Sequence, residues 1–392
     1  MKARTRRLDG DIDLLAMAGA DGVLWEKSRA GVAGRGVALR VALADADEAL
    51  AGIEVDDEVG VPGSGPVAFG ALPFVPGAPC ELVVPSEVWG RAEDGTRWHT
   101  VIELDAIAGR GDPLLRREQP SRFTVAPTRP AAWWCDLVER TTKALADGPL
   151  EKVVLAREVL VTADAGIDPV AVLTRLRAAY PGCHVFLIDG FVGASPELLV
   201  SRAGDVVRSH PMAGTAPRGG DPSADARLAA SLLASTKDRE EHQITIDMVH
   251  DTLLPWCSYL DYEAEPSIVA VANLQHLATM VEGRLSQPAP SVLELVQALH
   301  PTPAVCGQPR DAALQYILEH EGFDRGRYAG AVGWVDARGN GSWAVSVRTA
   351  QLDGATARVC AGCGIVADSE PATELEESRV KLQAMLSAIV RP

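Results

Sequence analysis

Two acidic groups in this 392-residue chain stand out by their spacing. Glu374, Glu377 and Lys381 fall at i, i+3 and i+7 of the last periodic segment, and at about 100° per residue they share an arc of about 60°. Leu375, Leu382, Leu386 and Ile389 occupy the neighbouring arc. The stripe therefore reads either as a solvated face with an i,i+4 Glu377–Lys381 pair or as a row of ligands. A second group follows Ser235 in Lys237-Asp238-Arg239-Glu240-Glu241-His242. Two carboxylates from separate helices suit a Mg2+ ion that keeps several waters and completes its shell with an anionic substrate. A solvated first helical turn is the plain alternative.

Three segments set glycine beside polar groups: His210-Pro211-Met212-Ala213-Gly214-Thr215-Ala216-Pro217-Arg218-Gly219, Cys306-Gly307, and Ala361-Gly362-Cys363-Gly364-Ile365. Glycine lets backbone N–H groups approach a carboxylate closely, and Arg348, expected on the strand before the last segment, offers a bidentate clamp. None is a GxGxxG after a first strand or a GxxxxGK followed by Ser or Thr, which disfavours nucleotide binding by those routes. Lys152 lies in Leu150-Glu151-Lys152-Val153-Val154-Leu155, where a period of two aims it inward. An inward lysine with cationic or apolar neighbours loses its proton more easily and can serve as a base. Glu197, after Ser195-Pro196 and before an apolar run, reads as a buried acid. An edge-strand or turn charge is the alternative for each. Seven cysteines, an odd number, argue against a disulfide framework. Cys360 and Cys363 form one CxxC, expected as small buried side chains beside a tight turn.

The elements that must position these groups read as strands and turns over the first 130 residues, with Gly and Pro punctuation. A connector is expected over 110–129, a helix over 131–146, and strands over 152–160 and 185–188. One long helix is expected over 224–254, then strands over 332–335, 343–349 and 357–359, and a final helix capped by Ser369 and ending at Val390. Strands in runs and helices in runs predict an α+β fold: two packed, largely antiparallel β-sheets with outer helices. A net charge of −16, from 37 basic and 53 acidic residues, disfavours phosphate backbones and anionic lipid as partners. No apolar stretch reaches the roughly 18–20 residues of a bilayer span, and Met1–Arg7 leads into Asp9, Asp11 and Asp13 without a secretory apolar region. A cytoplasmic location is expected, with neither nucleic acid nor membrane as partner.

Taken in order, Lys152-Val153-Val154-Leu155-Ala156-Arg157, Gly193-Ala194-Ser195-Pro196-Glu197, Met212-Ala213-Gly214-Thr215, the Lys237–His242 segment, Leu299-His300-Pro301-Thr302-Pro303-Ala304 and Gly364-Ile365-Val366-Ala367-Asp368-Ser369 resemble the chorismate-utilising enzymes. That group holds the isochorismate, anthranilate, aminodeoxychorismate and salicylate synthases, and isochorismate synthase is the nearest likeness. The resemblance implies one chorismate-binding unit over 1–392 with the anthranilate synthase component I type of fold, a variable N-terminal half (1–125) and a catalytic half (130–390). It makes Lys152 the base that activates water for attack at C2 of chorismate, and Glu197 the acid that protonates the departing C4 hydroxyl. A neutral lysine and a protonated glutamate are the ground states this needs. It makes Glu241 and Glu377 ligands of Mg2+, with Glu374 close by as a water-mediated partner. Gly214, Thr215, Arg348, Gly362, Gly364 and Lys381 fall where the family contacts substrate carboxylates, and His276 at another active-site position.

Ala213 stands where aminodeoxychorismate synthases have a nucleophilic lysine, and Ala304 where the pyruvate-eliminating branches tend to have threonine. Tyr328 occurs with either outcome. The resemblance thus implies an isomerase producing isochorismate, for siderophore, menaquinone or other synthesis, with a salicylate synthase as the alternative and a monomer as the expected state.

Overall fold

The computed structural model describes residues 1–103 and 119–390. Two large sheets dominate it. The first runs in the spatial order Phe123–Pro127, Lys152–Ala163, Thr356–Ile365, Thr349–Asp353, Phe191–Ser195, His184–Ile188, Val23–Lys27, Ala30–Arg35, Glu87–Arg91, Arg97–Glu103, Lys2–Arg7 and Glu54–Asp57, with Gly307–Gln308 pairing the Lys152 strand off this path. The second has nine strands, from Cys257–Tyr262 at one edge to Leu39–Ala42 at the other. Among the described residues every ladder is antiparallel except Lys2–Arg7 against Glu54–Asp57. Strands from both halves of the chain sit in both sheets, so the halves share hydrogen-bonded ladders.

The sheets pack face to face because alternate positions are apolar. Trp25, Phe186 and Phe191 of the first sheet meet Phe69, Val332 and Trp334 of the second in one buried cluster. The outer face of the first sheet is covered by helices. Leu382, Met385 and Ile389 of the final helix, with Leu173 and Leu176 of Pro169–Ala179, bury Val159, Val161 and Val359. Trp134 and Leu137 of Ala131–Asp147 share a cluster with Val153 and Leu155. The odd-numbered residues of the Lys152 strand therefore face helices, and Lys152 and Val154 face a cavity on the other side.

The predicted α+β architecture of packed antiparallel sheets with outer helices is what the chain adopts. Four local expectations are corrected. The single helix over 224–254 is two, Pro222–Ala234 and Thr236–Leu253, because Ser235 takes extended backbone (φ −72°, ψ 111°) and caps the second by accepting from Asp238 N at 3.2 Å. The final helix begins at Pro371, and Ser369 does not cap it; its hydroxyl instead donates to Glu374 Oε1 at 2.8 Å. The expected connector contains the strand Phe123–Pro127, an edge position where a proline costs no ladder bond, while residues 110–118 of that connector lie outside the described residues. The expected strand 343–349 ends at Val345, and a new one starts at Thr349 in the other sheet. A third sheet of three strands, Met212–Pro217, Leu274–Ala278 and Ser267–Ala270, was not anticipated. No helix among the described residues is long and apolar enough to cross a membrane.

Candidate active site

The chain crosses between the two large sheets at two neighbouring places. Ser195 ends a strand of the first sheet and Leu198 opens one of the second; Val345 ends a strand of the second and Thr349 opens one of the first. The crossings are tied by Val345 N donating to Glu197 O and Ala194 N to Arg348 O, both at 3.1 Å. Glu197 and Arg348 thereby project from adjacent bends into one cavity of about 330 Å3, a size suited to a small ligand. Arg348 was expected on a strand, but the sheet change places it in a left-handed turn (φ +53°), a conformation costing about 1–3 kcal/mol that surrounding contacts must hold. Ser346 supplies such contacts, donating through Oγ to Arg327 O at 2.6 Å and accepting at its carbonyl from Ala329 N at 2.9 Å. That ties the Arg348 turn to the loop carrying Tyr328.

All fourteen residues singled out in the sequence line this cavity: Lys152 and Glu197; Gly214, Thr215 and His276 on the small sheet; Ala304, Tyr328 and Arg348; Gly362 and Gly364; and Glu241, Glu374, Glu377 and Lys381 from two helices. Both acidic groups send carboxylates to the cavity, Glu241 from one and Glu374 and Glu377 from the other. Glu240, next to Glu241, is exposed. The glycines of the third segment do not form a loop but lie within the strand Thr356–Ile365. They make room: a Cβ on Gly364 would sit 2.7 Å from Lys152 Cε, and one on Gly362 would sit 3.1 Å from the Tyr328 hydroxyl. Cys360 and Cys363 are buried as expected but lie mid-strand, not beside a turn. Three residues of extended chain separate them by about 10 Å, too far for a disulfide.

Electrostatics divide the charged groups. Glu197 is 6% exposed, and burial pushes its carboxyl up to about 8 against the lowering effect of the Met212 N–H, Arg348 and Lys152. At neutral pH it holds its proton. Lys152, 8% exposed, places Nζ 2.5 Å from Glu241 Oε1, so the lysine expected to be neutral in the reaction is ion-paired here. Lys381 lies 2.7 Å from Glu377 Oε1 and donates to Gly362 O at 3.0 Å. Burial opposes the charge on both partners, yet their attraction prevails, holding Glu377 below and Lys381 above their ordinary ranges. Burial raises Glu374.

His276 is fully engaged. Arg348 can only donate, so its Nη2 at 2.7 Å from His276 Nε2 places the imidazole proton on Nδ1, which faces Thr215 Oγ1 at 3.1 Å and Gly214 O at 3.2 Å. Burial holds His276 well below its ordinary range, hence neutral. With both nitrogens occupied it orients Arg348 and Thr215. Arg348 itself is 9% exposed, its Nε has no partner, and among the described residues it makes no ion pair. A buried cation in this state calls for an anionic ligand.

Carboxylate oxygens are hard donors of the kind Mg2+ takes. Glu374 and Glu377 bring theirs within 4.8 Å of each other and of Cys363, a group that does not include Glu241, whose Oε1 meets Lys152. Burial pushes the Cys363 thiol far up, and Sγ donates to Glu374 O at 3.3 Å, so it buttresses the carboxylates as a protonated group. Sequence reasoning took Cys363 as packing alone and Ser369 as a cap; nothing local distinguishes such roles. It quoted Lys237 and Asp238 within the second acidic group but gave them no role, and both line the cavity beside Glu241.

Residues 103–390 match the family described as chorismate binding enzyme. A Mycobacterium tuberculosis protein provisionally named isochorismate synthase MenF is 43% identical over 342 residues, covering 83% of this chain and 87% of the relative. Isochorismate synthase DhbC of Bacillus subtilis is 38% identical over 339 residues, covering 83% and 81%. A solved Bacillus anthracis structure, provisionally identified as a 2,3-dihydroxybenzoate-specific isochorismate synthase, is 32% identical and covers 96% of this chain and 98% of its own with a TM-score of 0.81.

Proposed function

The chain belongs to the family of chorismate-binding enzymes, and from that premise we propose that it is an isochorismate synthase, an isomerase moving a hydroxyl between C4 and C2 of chorismate. The observation that carries this reading is a buried Glu197, its carboxyl pushed up to about 8 by burial, sharing one cavity with Lys152 and with an Arg348 guanidinium whose Nε has no partner. Chorismate is a dicarboxylate, and Arg348 with the surrounding amides supplies the positive surface that such an anion needs in an acidic protein.

The reaction is an allylic displacement. Water adds at C2 while the ring double bond shifts and the C4–O bond breaks. Lys152 Nζ takes the proton that the attacking water gives up, and Glu197 delivers its own proton to the departing hydroxyl, which leaves as water. One water enters and one leaves; the neutral lysine ends as an ammonium and the neutral glutamic acid as a carboxylate, and both are reset by proton exchange with solvent. Lys152 can accept a proton only after it has parted from Glu241 and given up a proton of its own to solvent. Glu241 and Glu377, with Glu374 beside them, would hold Mg2+, which when bound supplies a Lewis-acidic charge facing the substrate's ring carboxylate. Arg348, oriented by His276, and Lys381 would bind the carboxylates. Ala304 offers no hydroxyl at the position where pyruvate-eliminating relatives tend to carry one, which favours release of isochorismate over salicylate. The proposed setting is a monomer in the cytoplasm, its product entering menaquinone or siderophore synthesis.

Incubation of the purified chain with chorismate and Mg2+ tests this by chromatography. Isochorismate in a reversible mixture with chorismate is expected, with little salicylate. Salicylate and pyruvate as main products at neutral pH would overturn the isomerase reading.

A further inference from the structure

The edge of the Lys152 strand that faces away from Thr356–Ile365 has strand neighbours in two places only among the described residues. Gly307–Gln308 pairs with Lys152 and Val153, and Phe123–Pro127 pairs with Val159 to Ala163. The interval between them is a gap in the ladder, two residues from Lys152. Buried backbone groups in such a gap need partners. Two side chains provide them, Glu321 at the C-terminal end of the helix Arg310–His320 and Arg325 in the loop that follows it. Glu321 Oε1 accepts the Ala156 N–H at 2.6 Å, and Arg325 Nη2 donates to Val154 O at 2.6 Å. The two close on each other through Arg325 Nε to Glu321 Oε2 and Nη2 to Oε1, both at 2.6 Å. An acceptor and a donor held side by side stand in for the peptide of a missing strand.

The same guanidinium reaches further. Arg325 Nη1 donates to Val305 O at 3.0 Å, next to Ala304. Its plane lies over Phe74, 4.2 Å from the ring centroid, and 6.0 Å from that of Tyr328. Three segments of the cavity wall, carrying Lys152, Ala304 and Tyr328, are thus registered to one buried group. The partners are 2% and 1% exposed. Burying an ion pair seldom repays its desolvation, so stability is a poor reason for one here, and a planar fork that fixes several acceptors at once is a better one.

We propose that Glu321 and Arg325 are positioning residues that complete the sheet beside Lys152 and set the lysine, Ala304 and Tyr328 in register for the reaction. This rests on the isochorismate synthase reading. Arg325→Lys keeps the charge but not the fork, and Glu321→Asp keeps the charge but cannot span both Ala156 and Arg325. In each folded variant kcat for isochorismate formation is expected to fall about 10²-fold, the cost of a misplacement of about 1 Å. KM for chorismate should stay within about threefold, because the carboxylate contacts at Arg348 and Lys381 are untouched. Hydrogen exchange at the Ala156 amide should quicken at least tenfold, an order-of-magnitude expectation for a lost local bond. A folded variant with kcat within about threefold of wild type, or with kcat falling only in proportion to unfolded protein, would overturn the proposal, as would unchanged exchange at Ala156. A wild-type chain inert toward chorismate would overturn the functional reading instead, and the exchange measurement would still decide whether the pair completes the sheet.

Discussion

Glu197→Gln should strengthen the fold while destroying the activity, and the size of the gain depends on pH in a way that can be worked out. The buried carboxyl titrates near 8 in the folded chain against an ordinary 4.5. Below pH 4.5 both folded and unfolded chains hold the proton and the group is neutral for stability. Between the two values the unfolded chain has released its proton and the folded chain has not, so stability falls as pH rises, by about 1.4 kcal/mol per unit, and levels off above pH 8. At pH 7 the penalty is about 3 kcal/mol. An amide carries no such penalty and can still accept from the Met212 N–H. Denaturant titrations of both proteins at pH 5, 6, 7 and 8 should show the variant gaining on wild type with each step. Activity runs the other way: the variant should lose about 10²–10⁴ in kcat, and wild-type kcat/KM should decline as pH rises through about 8 because the acid is spent. A stability difference independent of pH, or wild-type activity undiminished well above pH 8, would refute the assignment of Glu197 as a protonated buried acid.

Lys152→Ala should lower kcat by about 10²–10⁴ while calorimetry still detects chorismate binding; turnover within about tenfold of wild type would mean that another group activates the water. Glu241→Gln and Glu377→Gln should each weaken Mg2+-dependent chorismate binding by at least about tenfold in calorimetric titrations and leave the fold intact, since both lie on helix surfaces facing the cavity. Gly364→Ala would force a methyl to within 2.7 Å of Lys152 Cε. It should cost about 1–3 kcal/mol in thermal unfolding and reduce kcat more than it changes KM; unchanged kcat would show that the lysine need not be held in place.

What local spacing can express was legible in the chain by itself. A period of two aimed Lys152 inward, and a period of 3.6 put Glu374, Glu377 and Lys381 on one face, because side-chain direction in a strand or helix is a property of a few neighbouring residues. The strand and helix runs announced packed antiparallel sheets, and the fourteen residues that the ordered motifs singled out all lie among those lining the cavity. Tertiary structure decided the rest. Whether Ser235 continues a helix or caps the next depends on a backbone choice that propensity leaves open. That Arg348 sits in a left-handed turn follows from a change of sheet, which no window of sequence contains. The pairing of Lys152 with Glu241 joins residues 89 apart, and Glu321 finds Ala156 across 165. Such partners are selected by how sheets and helices pack, and a charged side chain keeps the same spacing signature whether it meets water, a metal, or a gap in a distant ladder.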